Sequence, residues 1–181
     1  MEVVEGYTSV ASVDEFVARL GDVGAEHGCA VQAFDARYVV GEAHLRRAVE
    51  LADRAFARGE TVARDRAVEI LLYAAGRRQI DQALELGVAA GDQSVVVVVS
   101  ADGAGPDEPD GASGAAGADE ADEAGAAAAV ADLLTPGETL GAYDEDRVRS
   151  YYDVTDEELG ATEASLEELV CERVALLTVE R

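Results

Sequence analysis

The chain has 181 residues, 49% of them hydrophobic, which is enough to bury a substantial core in a single domain. Its formal net charge is −24, and all 14 basic residues are arginine, with no lysine. Such acidity excludes a surface broadly coated for nucleic acid; it fits a halophilic cytosol of molar salt, where the Debye length falls to about 3 Å and only local clusters of positive charge are informative.

The opening MEVVEGYTSV lacks a basic region followed by an apolar run, so no signal peptide is expected. Glu2 to Thr8 alternates weakly, as an edge strand does. Ser12-Val13-Asp14-Glu15 reads as a capping box that opens a helix. Val13, Phe16, Val17 and Leu20 would face inward on it, and Gly21 or Gly24 would end it. Cys29 to Phe34 alternates as a strand, with Cys29, Val31 and Ala33 on one side. Glu42 to Arg58 predicts a helix with Leu45, Ala48, Val49, Ala52 and Phe56 inward. Arg46, Arg47, Glu50, Asp53 and Arg54 would form its solvated face. His44 lies near the start of this helix with no cysteine, serine or acid placed to work with it, so a structural role is expected.

Thr61 to Val88 is the centre of the chain. Ala67, Ile70, Leu71 and Ala74 recur at helical spacing, and Val68 and Leu72 widen the stripe until the helix is apolar nearly all round. Gly76 supplies a left-handed stop. A second helix is expected to follow, with Ile80, Ala83, Leu84 and Gly87 on one face and Arg77, Arg78 and Gln79 in its first turn. Positive charge is misplaced at a helix start, and in so acidic a chain it points to a binding surface. Glu69, inside the apolar run, is expected to pair with Arg66 or Arg77, or to mark a partner-facing edge.

Val95 to Val99, five valines in a row, predicts a strand covered on both faces at the centre of the sheet, and is far short of the roughly twenty residues of a membrane span. From about 101 to 125 the chain is almost wholly Ala, Gly, Asp and Glu, a low-complexity acidic insertion with too little apolar surface to offset its ordering entropy. A helix from Ala126 to Leu134, a break at Thr135-Pro136-Gly137 and a short helix from Asp144 to Tyr151 follow. Capping boxes start at Thr155 and Ser165, and the last helix, with Leu166, Leu169 and Val170 inward, is expected to run into a closing strand, VALLTV. The whole reads as one α/β (α+β) domain, a small central sheet covered by several helices.

Chemistry is sparse. No phosphate-cradling glycine loop or GxSxG elbow is present. The two histidines, His27 and His44, and the two cysteines, Cys29 and Cys171, show no metal-ligand spacing. No catalytic residue, cofactor, metal or small-molecule substrate is expected. What remains is arginine, whose planar fork donates two parallel hydrogen bonds to phosphate and stacks on bases. Arg64 and Arg66 precede the first central helix and Arg77 and Arg78 follow it. If the two central helices fold back on each other, the pairs lie roughly two to three helical turns apart as one stripe. The alternative is that these arginines only pair with neighbouring acids.

The central VEILLYAAGRRQI resembles the signature segment of the small regulatory subunit of the KEOPS complex, the PRPK-binding-protein family. VQAFDARYVV, HLRRAVELADRAF, the valine strand, YYDVTDEEL and LEELVCERVALLTV fit that family in order. The resemblance implies a non-catalytic, cytoplasmic protein that binds the complex's small kinase/ATPase and the 3′ CCA end of tRNA, in support of threonylcarbamoyl-adenosine formation. It implies Arg77, Arg78, Gln79 and Ile80 as tRNA contacts. Arg64 and Arg66 join them on charge alone. The competing expectation is a protein-only module that regulates the kinase without touching RNA.

Overall fold

The computed structural model describes residues 1–101 and 121–177. Four strands, β1 (Glu2–Val10), β2 (Cys29–Asp35), β3 (Gly91–Ala101) and β4 (Thr135–Pro136), form one antiparallel sheet in the order β2-β3-β1-β4. β3 is the central long strand expected from its valines, because neighbours on both edges and helices on both faces remove Val95 to Val99 from solvent entirely. Strand alternation splits that run between two cores. Val95, Val97 and Val99 pack with Phe16 and Leu20 of α1 (Val13–His27) and with Ala126 and Val130 of α5 (Glu123–Ala131). Val96 and Val98 pack on the other side with α2 (Glu42–Arg58), α3 (Arg66–Ala75) and α8 (Leu166–Leu176). The result is an α+β fold of three layers. The remaining helices, α4 (Ile80–Ala83), α6 (Glu145–Tyr151) and α7 (Asp156–Ala161), are short and lie among the loops of the second side.

Several expectations are corrected. β1 is not an outer edge: β4 pairs with it at Gly6 and Tyr7, so Thr135 and Pro136 are a strand rather than a break. A Cβ on Gly6 would stand 2.5 Å from the Thr135 carbonyl oxygen, which is why this contact requires glycine. α1 runs through Gly21 and Gly24 to His27, and Gly28, at φ 65°, ends it. Val17 and Phe56 point outward rather than inward. The closing segment is helical through Leu176, because Ser165 and Glu168 form a reciprocal capping box and Val170 and Val174 bury on the core. Leu177 caps this helix, and the rest of that expected strand lies outside the described residues. So does most of the acidic insertion, but its ends are ordered parts of the fold. Ala101 belongs to β3, and Asp122 caps α5, which starts at Glu123 rather than Ala126. The Glu123 carboxylate accepts the Ala101 N–H at 2.8 Å, joining the two ends.

Candidate nucleic-acid interface

α3 sets the geometry. Its seven residues from Glu69 to Ala75 are all buried, as its all-round apolar pattern requires. Gly76, at φ 60°, ends it: the Gly76 N–H donates to the Tyr73 carbonyl and the Arg77 N–H to the Leu72 carbonyl, at 2.9 and 3.1 Å. This Schellman pattern turns the chain outward at Arg77. Arg77, Arg78 and Gln79 then form a connecting loop, not the first turn of a helix; α4 begins only at Ile80, with Gln79 as its cap. The misplaced charge is thereby explained. Arg77 Nη2 donates to the carbonyl of Tyr151, the last residue of α6, at 2.5 Å, and Arg78 Nη2 to that of Leu177, just past α8, at 2.8 Å. Each cation sits at the electronegative end of another helix, where carbonyls lack partners.

Arg77 also opens onto a cleft of about 710 Å³, whose lining includes Tyr38, Gln82, Glu85, Asp144, Arg147 and Tyr151. The Tyr38 and Tyr151 rings meet edge to face at 5.3 Å. Arg77 lies over the Tyr151 ring at 5.3 Å and Arg147 over the Tyr38 ring at 5.4 Å. Both rings are buried, and each has a guanidinium within cation–π distance at the cleft. The two hydroxyls are fixed as donors, Tyr38 to Glu85 Oε1 at 2.7 Å and Tyr151 to the Gln82 carbonyl at 3.1 Å. Burial pushes the Tyr151 hydroxyl up to about 12, so it keeps its proton across the physiological range. Such a cleft can hold a flat heteroaromatic ring against a guanidinium, with Arg77 and Arg147 as its cations among three carboxylates, Glu85, Asp144 and Asp146.

The six expected contact residues are divided by the fold. Arg77, Arg78, Gln79 and Ile80 are contiguous at the C-terminal end of α3, with the last three exposed. Arg64 and Arg66 stand at its other end, ten residues of helix or about 15 Å away. Arg64 is exposed, whereas Arg66 is turned inward, its guanidinium donating to Asp53 Oδ1 and to the Ser100 carbonyl and hydroxyl. Glu69 pairs with no arginine: it is 2% exposed and accepts the backbone N–H groups of Val62 and Ala63, holding the α2–α3 loop. Tyr38, Tyr151 and Arg147 were missed by sequence reasoning. Their only signal was scarcity, since the chain holds just six tyrosines and no tryptophan.

His44 has the structural role expected of it. Its Nε2 lies 2.8 Å from the Ala74 carbonyl, which also accepts the Tyr152 hydroxyl at 2.8 Å. Two elements thus grip the last turn of α3 just before the arginine loop. Among the described residues no group of three or more His, Cys, Asp or Glu side chains is placed to hold a metal ion, and no helix is long and apolar enough to cross a membrane.

Residues 7–178 match the family described as Kinase binding protein CGI-121. The chain belongs to that family. Membership extends over nearly the whole sequence and agrees with the resemblance to the small KEOPS subunit carried by VEILLYAAGRRQI and its flanking segments. A comparison with curated proteins gave no match. Within this CGI-121 chain, the motif residues and the tyrosine–arginine cleft meet at one place, Arg77.

Proposed function

We propose that this CGI-121 chain is a non-catalytic KEOPS subunit that binds the complex's kinase/ATPase and the 3′ CCA end of tRNA, supporting threonylcarbamoyl-adenosine formation. The observation that carries the RNA part is Arg77, which belongs at once to the family-like segment and to the wall of the cleft built on Tyr38, Tyr151 and Arg147. An unpaired CCA end offers bases that splay and stack on guanidinium planes while its phosphates meet the same charges. Arg78, Gln79 and Ile80 extend this surface outward from the cleft, and Ile80, 44% exposed, adds an apolar contact. Arg64 and Arg66 serve it less directly. Kinase binding rests on the family description alone.

A second reading has its own observation. Arg77 and Arg78 already donate to the Tyr151 and Leu177 carbonyls, so both have a structural use that needs no RNA. On that reading the chain is a protein-only module of the kinase. Arg147→Gln and Gln79→Ala leave those two bonds intact and separate the readings. Under the first, binding of a labelled single-stranded oligonucleotide ending in CCA weakens several-fold in both variants while kinase capture persists. Unchanged or absent RNA binding by folded protein rejects it.

A further inference from the structure

A second arginine surface lies on α2, away from the cleft. Arg54 and Arg58 follow Arg47 by seven and eleven residues, which at 3.6 residues per turn keeps all three within about 20° of one line along some 16 Å of helix. They line a small groove of about 120 Å³ together with Leu51, Ala55, Tyr73 and one carboxylate, Glu60, so three cations face a single acid there. Arg47 is held by Glu50 at 3.4 Å. Arg54 and Arg58 are exposed, and among the described residues neither has an ion-pair or hydrogen-bond partner. In a chain with 38 acidic residues, this is unusual. Arg64, also exposed and without an acidic partner among them, lies in the loop that follows. Three of the arginines that the protein's own carboxylates have left free are therefore gathered between residues 54 and 64.

We propose that this α2 face binds the phosphate backbone of a polynucleotide, as a second contact for the RNA whose end enters the Arg77 cleft. The inference rests on the reading that the chain binds RNA. The groove has room for a phosphate, and its cations are repeated along a line as the charges of a strand are. A patch matched to one carboxylate cluster would need no such line. Guanidinium offers each phosphate a two-point hydrogen bond. Tyr73, on the floor of the groove, precedes the arginine loop by only one turn of α3. A strand leaving the cleft therefore passes the C-terminal end of α3 to reach α2.

The test compares full-length tRNA ending in CCA with a short single-stranded oligonucleotide carrying the same end, across a series of potassium chloride concentrations. The proteins are wild type, Arg54→Gln with Arg58→Gln, and Arg19→Glu. Arg19, exposed on α1 behind the sheet, gives the same change in net charge and controls for long-range electrostatics. The double variant should lose about tenfold in tRNA affinity, with a salt slope shallower by roughly 1 to 2, and be unchanged toward the oligonucleotide. Arg19→Glu should match wild type on both. A wild type that binds tRNA while the double variant binds it equally overturns the α2 surface and leaves the cleft reading standing. An equal loss on the short oligonucleotide, or the same loss in Arg19→Glu, also overturns it. Wild type binding neither RNA removes both readings together.

Discussion

The Arg77 guanidinium holds Tyr151 twice, donating to its backbone carbonyl at 2.5 Å and lying 5.3 Å from the centre of its ring. Arg77 also stands 3.5 Å from Asp153, which is largely exposed and adds little. Truncation to Ala removes a charge-assisted hydrogen bond and the cation at the end of α6. About 1 to 2 kcal/mol should be lost, lowering the melting temperature by about 2–4 °C for each kcal/mol in a chain of this size. Thermal unfolding of Arg77→Ala beside Arg77→Lys measures it, and the lysine variant should fall between.

Glu69 should matter more than any exposed arginine. Its buried carboxylate is the acceptor for the Val62 and Ala63 N–H groups. Glu69→Ala strands the buried Ala63 N–H at about 1–3 kcal/mol and strips the half-exposed Val62 N–H of its acceptor at about 1 kcal/mol more, about 2–4 kcal/mol together. Glu69→Gln keeps an acceptor oxygen and should cost about half as much. Denaturant midpoints of the three proteins give the order, and equal midpoints would contradict the anchoring role.

His44 predicts a pH dependence of stability. Burial lowers its folded-state value to about 4, against an ordinary 6.5, so the folded protein keeps the ring neutral. Above pH 6.5 both states are neutral and the ring contributes no slope. As pH falls from 6.5 toward 4, the unfolded chain takes up a proton that the folded chain refuses, and stability drops. The full effect is roughly 3 kcal/mol, at 1.36 kcal/mol per pKa unit. Unfolding free energies of His44→Gln should fall less steeply than wild type across that window; parallel curves would disprove the assignment.

Gly76→Ala tests the geometry that launches the arginine loop. A Cβ there would meet the Arg173 carbonyl only at ordinary contact distance, 3.7 Å, so the cost is the left-handed backbone at φ 60° and not a clash. About 1–2 kcal/mol is expected. Because the loop starts at this residue, affinity for a CCA-ended oligonucleotide should fall beyond what the loss of stability explains.

The sequence carried the local architecture well. Helical spacing placed α2 from Glu42 to Arg58, and unbroken valines placed the centre of the sheet. It failed where the deciding partner is remote. β4 is two residues with a proline, too short for any alternation to register. Val174 to Leu176 look strand-like by composition, yet the capping box at Ser165 and the core beneath α8 keep them helical. Arg77 and Arg78 stand out in the sequence as misplaced charge, but the partners that explain them, Tyr151 and Leu177, lie 74 and 99 residues away. No local pattern reports a bond over that distance. The tyrosine–arginine cleft is likewise assembled from three separate stretches of chain, at Tyr38, Arg77 to Glu85 and Asp144 to Tyr151.

The two-sided valine strand also gives the molecule a front and a back. The arginines of the cleft and of the α2 face lie with α2, α3 and α6 on one side of the sheet and α5 lies on the other, whereas Arg66 reaches the end of β3 through its bonds to Ser100. A label or tether fixed on the exposed side of α5 would therefore leave the Arg77 cleft and the α2 face clear.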